Sequence, residues 1–354
     1  MRAARYYGKE DIRIEQVPEP ELKKGEIKLA PAYVGICGTD LHEYLGGPNF
    51  APVTPHPITK DTIPVTFGHE LSGVVKDPGD SEFNEGDKIV VRPSLFCSSC
   101  AACSAHAENV CHSAGFIGLS GGGGGLADYL TVPASYALKL PDNVPLDVGA
   151  LVEPLAVAWH ATAAAPLNVD DTALIMGGGP IGLAVVQCLR AQGLKNIIVA
   201  EIASRRQEFA KSFGAAHVIN PISDNVVEIS RKLSNGTGPD VVFDCAGVPA
   251  SLKTSCNAVK ARGTVVNVAI WEKEVPFNPC WLVFKEASYT GVLGYQHQDW
   301  IAVLEHLRDG SLRPENMITS KISLEDLIPK GFMPLINEKE SHVKILVDIQ
   351  GRDT

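Results

Sequence analysis

The sequence predicts a mixed α/β chain: a mainly β body, then a doubly wound parallel sheet. Three observations carry that reading. Over the first ~150 residues, short alternating runs such as EIKLAPAYVGI, LSGVVKD, DKIVVRPSL and ADYLTVPASYALKLP are separated by Gly- and Pro-rich turns, the pattern of an all-β body with long loops. From about Asp147 strand-like and helix-like segments alternate instead. A glycine-rich turn then joins the first strong strand of that series to its first strong helix, the place where such sheets bind phosphate.

The second half is justified element by element. DVGALVEPLAVAWHATAAAPL is helical in composition. TALIMGG, NIIVAEI, AHVINP, DVVFDCAG and TVVNVAI read as strands, and PIGLAVVQCLRAQG, SRRQEFAKSFG, DNVVEISRKLSNG and SLKTSCNAVKARG as the helices between them. Strands alternating with helices of roughly 10–15 residues give a parallel sheet covered on both faces. From about Asp299 a helix, WIAVLEHLRDG, and a last strand, HVKILVDI, return the chain to the β body. The boundaries expected are 1–152 for the β domain, with a cysteine lobe at about 94–113, 153–294 for the doubly wound domain and 295–354 for the return. The glycine run at 121–125 reads as a flexible loop that is costly to order.

Composition excludes several classes. The net charge is −10 and no dense Lys/Arg run occurs, which argues against a nucleic-acid partner. Residues 172–189 form an 18-residue stretch without a charge, near the length of a membrane span. Its four glycines and one proline fit a strand, a tight turn and a buried helix better, so no membrane partner is expected. MRAARYYGKEDIRIEQ is charged throughout and has no apolar signal-peptide core, so a reducing, cytoplasmic location follows.

That location bears on the nine cysteines. Cys97, Cys100, Cys103 and Cys111 have the spacing C-x2-C-x2-C-x7-C. In a reducing compartment disulfides rarely persist, and four thiolates on one short loop suit a closed, tetrahedral, structural Zn²⁺ site. Cys188, Cys245, Cys256 and Cys280 lie scattered in apolar segments and read as small buried hydrophobes.

Gly177-x-Gly179-x-x-Gly182, with Pro180 and Ile181 between, follows TALIM directly and opens a helix. The first glycine permits the turn, the second lets backbone approach a pyrophosphate, and the third lets helix and strand pack closely, which is the dinucleotide-binding turn of a Rossmann domain. The helix N-terminus offers its free N–H groups to the phosphates. Glu201 near the end of the next strand can accept both ribose hydroxyls and would repel a 2′-phosphate, so NAD is favoured over NADP. Arg205 and Arg206 nearby oppose that preference if either meets a 2′-phosphate.

Cys37 in GICGTDLH and His69 in FGHE form a second candidate metal set. Thiolate and imidazole suit zinc, and a catalytic zinc takes three protein ligands with a fourth position open. The third candidate is a carboxylate, Glu70 or Glu153.

Taken in order, GICGTDLH, GHE, the four-cysteine lobe, VEPLAVAWH and GGGPIG resemble the zinc-dependent medium-chain alcohol dehydrogenases over nearly the full length. Within that family CGTDLHEYLGGPNF, HSAGFIGL, EPLAVAWHA and NEKESHVKILVD are most similar to the (R,R)-2,3-butanediol dehydrogenases. The resemblance implies a GroES-like catalytic domain beside the Rossmann domain, and a homodimer or homotetramer. It implies that Cys37 and His69 bind a catalytic zinc, that Glu153 is the carboxylate ligand, and that Glu70 lies just behind the metal or exchanges into its shell. It further implies that Thr39 and His42 relay the substrate proton and that Glu201 and Arg206 bind the adenosine ribose. The reaction implied is reversible oxidation of a small secondary alcohol or vicinal diol. An alcohol is a poor hydride donor until it loses its proton, and Zn²⁺ lowers the pKa of bound water from roughly 16 to about 7. Polyol dehydrogenases share the site but often lack the cysteine lobe. A nucleotide-sensing protein would not need Cys37, His69 and a carboxylate together with Thr39 and His42.

Overall fold

The computed structural model describes residues 1–165, 167–271, 273–338 and 340–352. They divide into two compact units, residues 1–153 with 314 onward, and residues 154–313.

The first unit is built on a sheet in which, among the described residues, seven strands take part. Glu26–Gly35 lies near its middle and pairs antiparallel with Glu70–Asp77, with Leu130–Pro133 and with the C-terminal strand Lys344–Asp348. Nearly every residue of Glu26–Gly35 is buried, because both faces are covered. The core gathers Ile27, Leu29, Val34, Leu71, Val75, Ile345 and Val347 from these strands, and Ile89 from strand Lys88–Val91, which pairs with Glu70–Asp77. The N-terminal residues, read from sequence only as a charged stretch, form the hairpin Arg2–Gly8 and Asp11–Gln16. Its buried positions are Ala3, Ala4 and Tyr6, and Tyr6 stacks on Phe67 with ring centroids 4.6 Å apart. Charges on its other face hid the strand signal.

The 121–125 segment is a correction: it is packed rather than loose. Gly118 N–H donates to Gly123 O (2.9 Å), Gly125 N–H to Gly68 O (2.8 Å) and Gly122 N–H to the Asp61 carboxylate (2.7 Å). Glycine is required here by close approach. A Cβ on Gly124 would fall inside contact distance of the Thr66 and Phe67 carbonyl oxygens, just ahead of His69.

The second unit holds a parallel sheet in the spatial order His217–Ile219, Asn196–Ala200, Thr172–Met176, Val241–Asp244, Thr264–Asn267, Ser288–Gly291. In chain order that is 3-2-1-4-5-6, the order of dinucleotide-binding sheets. The uncharged 172–189 stretch becomes the buried strand Thr172–Met176, the glycine turn, and most of helix Pro180–Ala191. Among the described residues no helix is long and apolar enough to cross a membrane.

The expected return at residue 295 is also corrected. Helix His297–Asp309 belongs to the second unit, and the chain rejoins the first only at Pro314. The reason is packing. Trp300, Val303 and Leu307 are buried, Asp299 pairs with His160 of helix Val152–Ala163 at 2.9 Å, and His306 lies against Trp159 with ring centroids 4.6 Å apart.

Gly124→Ala is expected to destabilise the chain by about 1–3 kcal/mol through overpacking. The measurement is urea unfolding. A midpoint equal to the parent's would show that the loop can move aside and that the close approach is not needed.

Candidate functional site

Cys37 lies two residues beyond the central strand Glu26–Gly35 and caps helix Gly38–Gly46. Its backbone N–H donates to the Asp40 carboxylate at 2.9 Å, which fixes the first turn of that helix. His69 directly precedes strand Glu70–Asp77, and Glu70 begins it. Folding brings these distant positions together. The ligand atoms of Cys37, His69 and Glu70 all lie within 4.8 Å of one another. Thr39 presents its Oγ1 3.6 Å from the Cys37 sulfur. His42 follows on the same helix face and is exposed.

Glu153 is buried in the first turn of helix Val152–Ala163, outside the set formed by those three ligand atoms. Its charge acts on the same region, because it helps raise the pKa of Lys344.

Sequence reasoning missed two residues of this site. Lys344 is buried, and its Nζ donates to both Glu70 oxygens (2.8 and 2.7 Å) and to the Ile36 carbonyl (3.3 Å). Burial disfavours its ammonium, but the Glu70 and Cys37 charges outweigh burial and raise its pKa. The available signal was a lysine in the otherwise buried strand KILVD. Asp40 is the second. One of its oxygens lies 3.5 Å from His69 Nδ1, and both atoms are buried without a hydrogen-bond partner. Its signal was the acidic residue three positions after Cys37, the place of a capping box.

The donor set fits a metal ion. Burial, then the Glu70 charge, pushes the Cys37 thiol up. At His69 burial opposes the charged ring, yet Asp40 and Cys37 prevail and its pKa lies well above the usual value. Without a cation the two groups therefore hold protons that a metal would displace. Asp40, 3.5 Å from Nδ1, would leave Nε2 to ligate, and it stands where metal-bound histidines ordinarily have a carboxylate partner.

The four lobe cysteines also lie within 4.8 Å of one another. The Cys100 sulfur is 3.6 Å from that of Cys103 and 3.9 Å from that of Cys111. Four sulfurs about 2.3 Å from one ion stand about 3.8 Å apart, so the lobe has the size of a tetrahedral zinc site. All nine cysteines are free thiols. Burial pushes Cys103 up to about 12, while hydrogen bonding from Ser99 holds Cys97 down at about 5. A cation is what would let all four be thiolates at once. Of the remaining cysteines, Cys188 and Cys256 are buried, but Cys280 is exposed, against the expectation.

In the second unit Gly177 takes φ +95°, and a Cβ on Gly182 would collide with the Gly177 carbonyl, so both glycines are needed. Gly179 caps helix Pro180–Ala191, with Pro180 at its first position and Ile181 next. Glu201 is buried, and its two oxygens accept from Gly178 N–H (2.6 Å) and Ala203 N–H (2.8 Å). Arg206 reaches to 3.8 Å from the Cβ position of Gly179, whereas Arg205 lies 6.0 Å from the Phe209 ring centroid on the exposed side.

Family models match both units: an alcohol dehydrogenase GroES-like domain over residues 23–142 and a zinc-binding dehydrogenase over residues 180–309. The (R,R)-butanediol dehydrogenase of Bacillus subtilis (strain 168) is 42% identical over 353 residues, covering 98% of this chain and 99% of that protein. The chain belongs to the zinc-binding alcohol dehydrogenase family. The X-ray structure of 2R,3R-butanediol dehydrogenase from Bacillus subtilis matches this dehydrogenase with a TM-score of 0.92 at 41% identity, covering 98% of this chain and 99% of that one. A Sinorhizobium meliloti 1021 protein solved bound to NADP matches it with a TM-score of 0.88 at 30% identity, covering 98% and 99% of the two chains. Both expected folds, GroES-like and Rossmann, are those of the dehydrogenase, and the family is one of zinc enzymes with a nicotinamide cofactor.

Lys344→Met would leave the Glu70 charge buried and alone, and is expected to destabilise the dehydrogenase by about 3–5 kcal/mol in guanidinium unfolding. Adding Glu70→Gln should recover most of that loss. A double variant as unstable as Lys344→Met would mean that Lys344 acts through packing, not charge.

Proposed function

We propose that the chain catalyses the reversible, NAD- and zinc-dependent oxidation of a small secondary alcohol or vicinal diol, of the 2,3-butanediol/acetoin type. The observation that carries this is the Cys37, His69 and Glu70 set, with the Thr39 hydroxyl 3.6 Å from the Cys37 sulfur, in a chain 42% identical to a butanediol dehydrogenase along its length. Cys37 and His69 would hold the catalytic zinc, with Glu153 as the carboxylate ligand and Glu70, paired with Lys344, behind it. Cys97, Cys100, Cys103 and Cys111 would hold the structural zinc. When bound, zinc makes a substrate hydroxyl more acidic and NAD accepts hydride. The chain's own part is to take the proton. Thr39 would accept it from the substrate hydroxyl while passing its own proton on towards the nicotinamide ribose, and His42 would hand the proton from there to solvent.

Gly177, Gly179, Pro180, Ile181 and Gly182 would receive the pyrophosphate, with Glu201 and Arg206 at the adenosine ribose. Glu201 supports NAD over NADP because a carboxylate beside the adenosine ribose would repel a 2′-phosphate. A homodimer or homotetramer in the cytoplasm is part of the same reading. It is supported by the edge strand Ser288–Gly291 and by the exposed Phe277, Val283, Phe284, Tyr289 and Leu293 around it, a row of apolar groups that a second copy would cover.

Metal analysis is expected to give two zinc ions per chain, falling by one in Cys100→Ser. With 2,3-butanediol and NAD, followed by absorbance of the reduced nicotinamide, Cys37→Ala or His69→Ala should remove nearly all activity. Thr39→Ala should lower kcat strongly. His42→Ala should lose about tenfold and recover in concentrated small buffers, since water and buffer can replace the outer end of a relay. An absence of turnover with every secondary alcohol and diol, while NAD still binds, would overturn the reading.

Glu201→Ala should relax discrimination against NADP, measured as the ratio of kcat/KM for the two cofactors. A parent enzyme with the higher kcat/KM on NADP would show that the cofactor is misassigned.

A further inference from the structure

The segment before strand Glu70–Asp77 carries Phe50, a large ring left 39% exposed. Its backbone is nevertheless held on both sides. The N–H groups of Asn49 and Phe50 donate to the carboxylate of Glu43, which has 0% exposure and sits on the helix that also bears Thr39 and His42. The Phe50 carbonyl accepts from Ser120 Oγ at 3.2 Å. The same hydroxyl accepts from the Phe116 N–H, also at 3.2 Å. One buried hydroxyl thus joins the backbones of two aromatic residues that lie 66 positions apart (116 less 50).

Those two rings stand edge to face, with centroids 6.5 Å apart, and the Phe116 ring lies 6.5 Å from the His69 ring. Two further bonds fasten the same loops. Thr59 Oγ1 donates to Ser120 O at 3.0 Å, and Gly122 N–H donates to Asp61 Oδ2 at 2.7 Å. A buried carboxylate and hydroxyl are tolerable only when hydrogen-bonded, and here both direct their bonds to the backbone beside an exposed ring.

We infer that Ser120 is a positioning residue: its hydroxyl fixes Phe50 and Phe116 as an apolar wall beside the metal set, and that wall limits the substrate to short secondary alcohols. The inference rests on the proposed alcohol oxidation. Phe50 is the specificity-determining side chain, and Ser120 acts through it. A short alcohol directed at the metal set fits in front of the rings, whereas each added methylene of a longer chain meets the edge of Phe50. Discrimination of this kind amounts to at least about tenfold per poorly accommodated group.

The test uses zinc-loaded enzyme with NAD and the ladder 2-butanol, 2-hexanol and 2-octanol. Phe50→Ala is expected to raise kcat/KM for 2-octanol relative to 2-butanol about tenfold, with the change carried by KM. Ser120→Ala should move the same ratio in the same direction, and the double variant should go no further than Phe50→Ala alone. A uniform loss across the ladder in Ser120→Ala, or additive effects in the double variant, would show that Ser120 is merely structural and would overturn the inference. Amide hydrogen exchange of the peptide spanning residues 48–55 supplies a readout that needs no turnover. Exchange should quicken in Ser120→Ala, and unchanged exchange also overturns the inference. If the parent enzyme oxidises no secondary alcohol, the proposed function fails, and exchange still decides whether Ser120 holds Phe50.

Discussion

The buried Glu70–Lys344 pair is the contact on which the catalytic unit turns. Their side chains are 1% and 3% exposed, and the two residues lie 274 positions apart. The pair joins the strand that follows His69 to the C-terminal strand, and the lysine's remaining reach is to the carbonyl just before Cys37. Three chain segments that carry or adjoin the metal set are therefore tied at one point. An isolated ion at that depth would be strongly penalised, so neither charge is tolerable without the other. This is why the chain must come back to the first unit after completing the second.

Charge balance then explains the chemistry the site can support. Cys37, Glu70 and Asp40 are potential anions, and Lys344 offsets only part of that charge. In the metal-free chain burial, then the Glu70 charge, pushes the Cys37 thiol up, and Asp40 and Cys37 outweigh burial to push the His69 ring well up, so both groups favour holding their protons. A divalent cation can take their place, so metal affinity must rise as pH rises and protons leave more readily. The same logic governs the cysteine lobe, where one thiol is low and one high until a cation removes the conflict.

How much of this the sequence disclosed depends on sequence distance. The lobe cysteines lie within 15 residues of one another, and the nucleotide turn is contiguous, so spacing alone announced both. The alternation of strands and helices in the second unit was equally plain for its central strands, which are apolar runs, whereas the edge strand Ser288–Gly291 reads SYTG. The catalytic set is assembled across the fold, and residues alone left Glu70 and Glu153 undecided; resemblance, not spacing, carried those roles. Lys344 was missed because a lysine in a strand usually faces water, and the N-terminal hairpin because charges mask its buried face. The glycine run misled for a physical reason. Glycine signals freedom in an unconstrained chain, but here the missing side chain of Gly124 makes room for the Thr66 and Phe67 carbonyls, and Gly125 N–H bonds to Gly68 O.

A common device links the sites. Glu43, Asp40 and Glu201 are each nearly or fully buried, and each accepts from backbone N–H groups of the segment it organises: Asn49 and Phe50, Cys37, Gly178 and Ala203. A carboxylate used this way does not earn its place through net stability, since an apolar residue would pack at less cost. What it supplies is a fixed backbone orientation before a ligand arrives, which lowers the ordering cost of binding and holds reacting groups at a set geometry. Glu201 shows the consequence. Its two oxygens tie the glycine turn at Gly178 to the start of the next helix at Ala203, so a substitution there loosens both segments at once. The candidate metal set follows the same rule: Asp40 orients the helix start through Cys37 and faces His69, so a single carboxylate bears on two of its three residues.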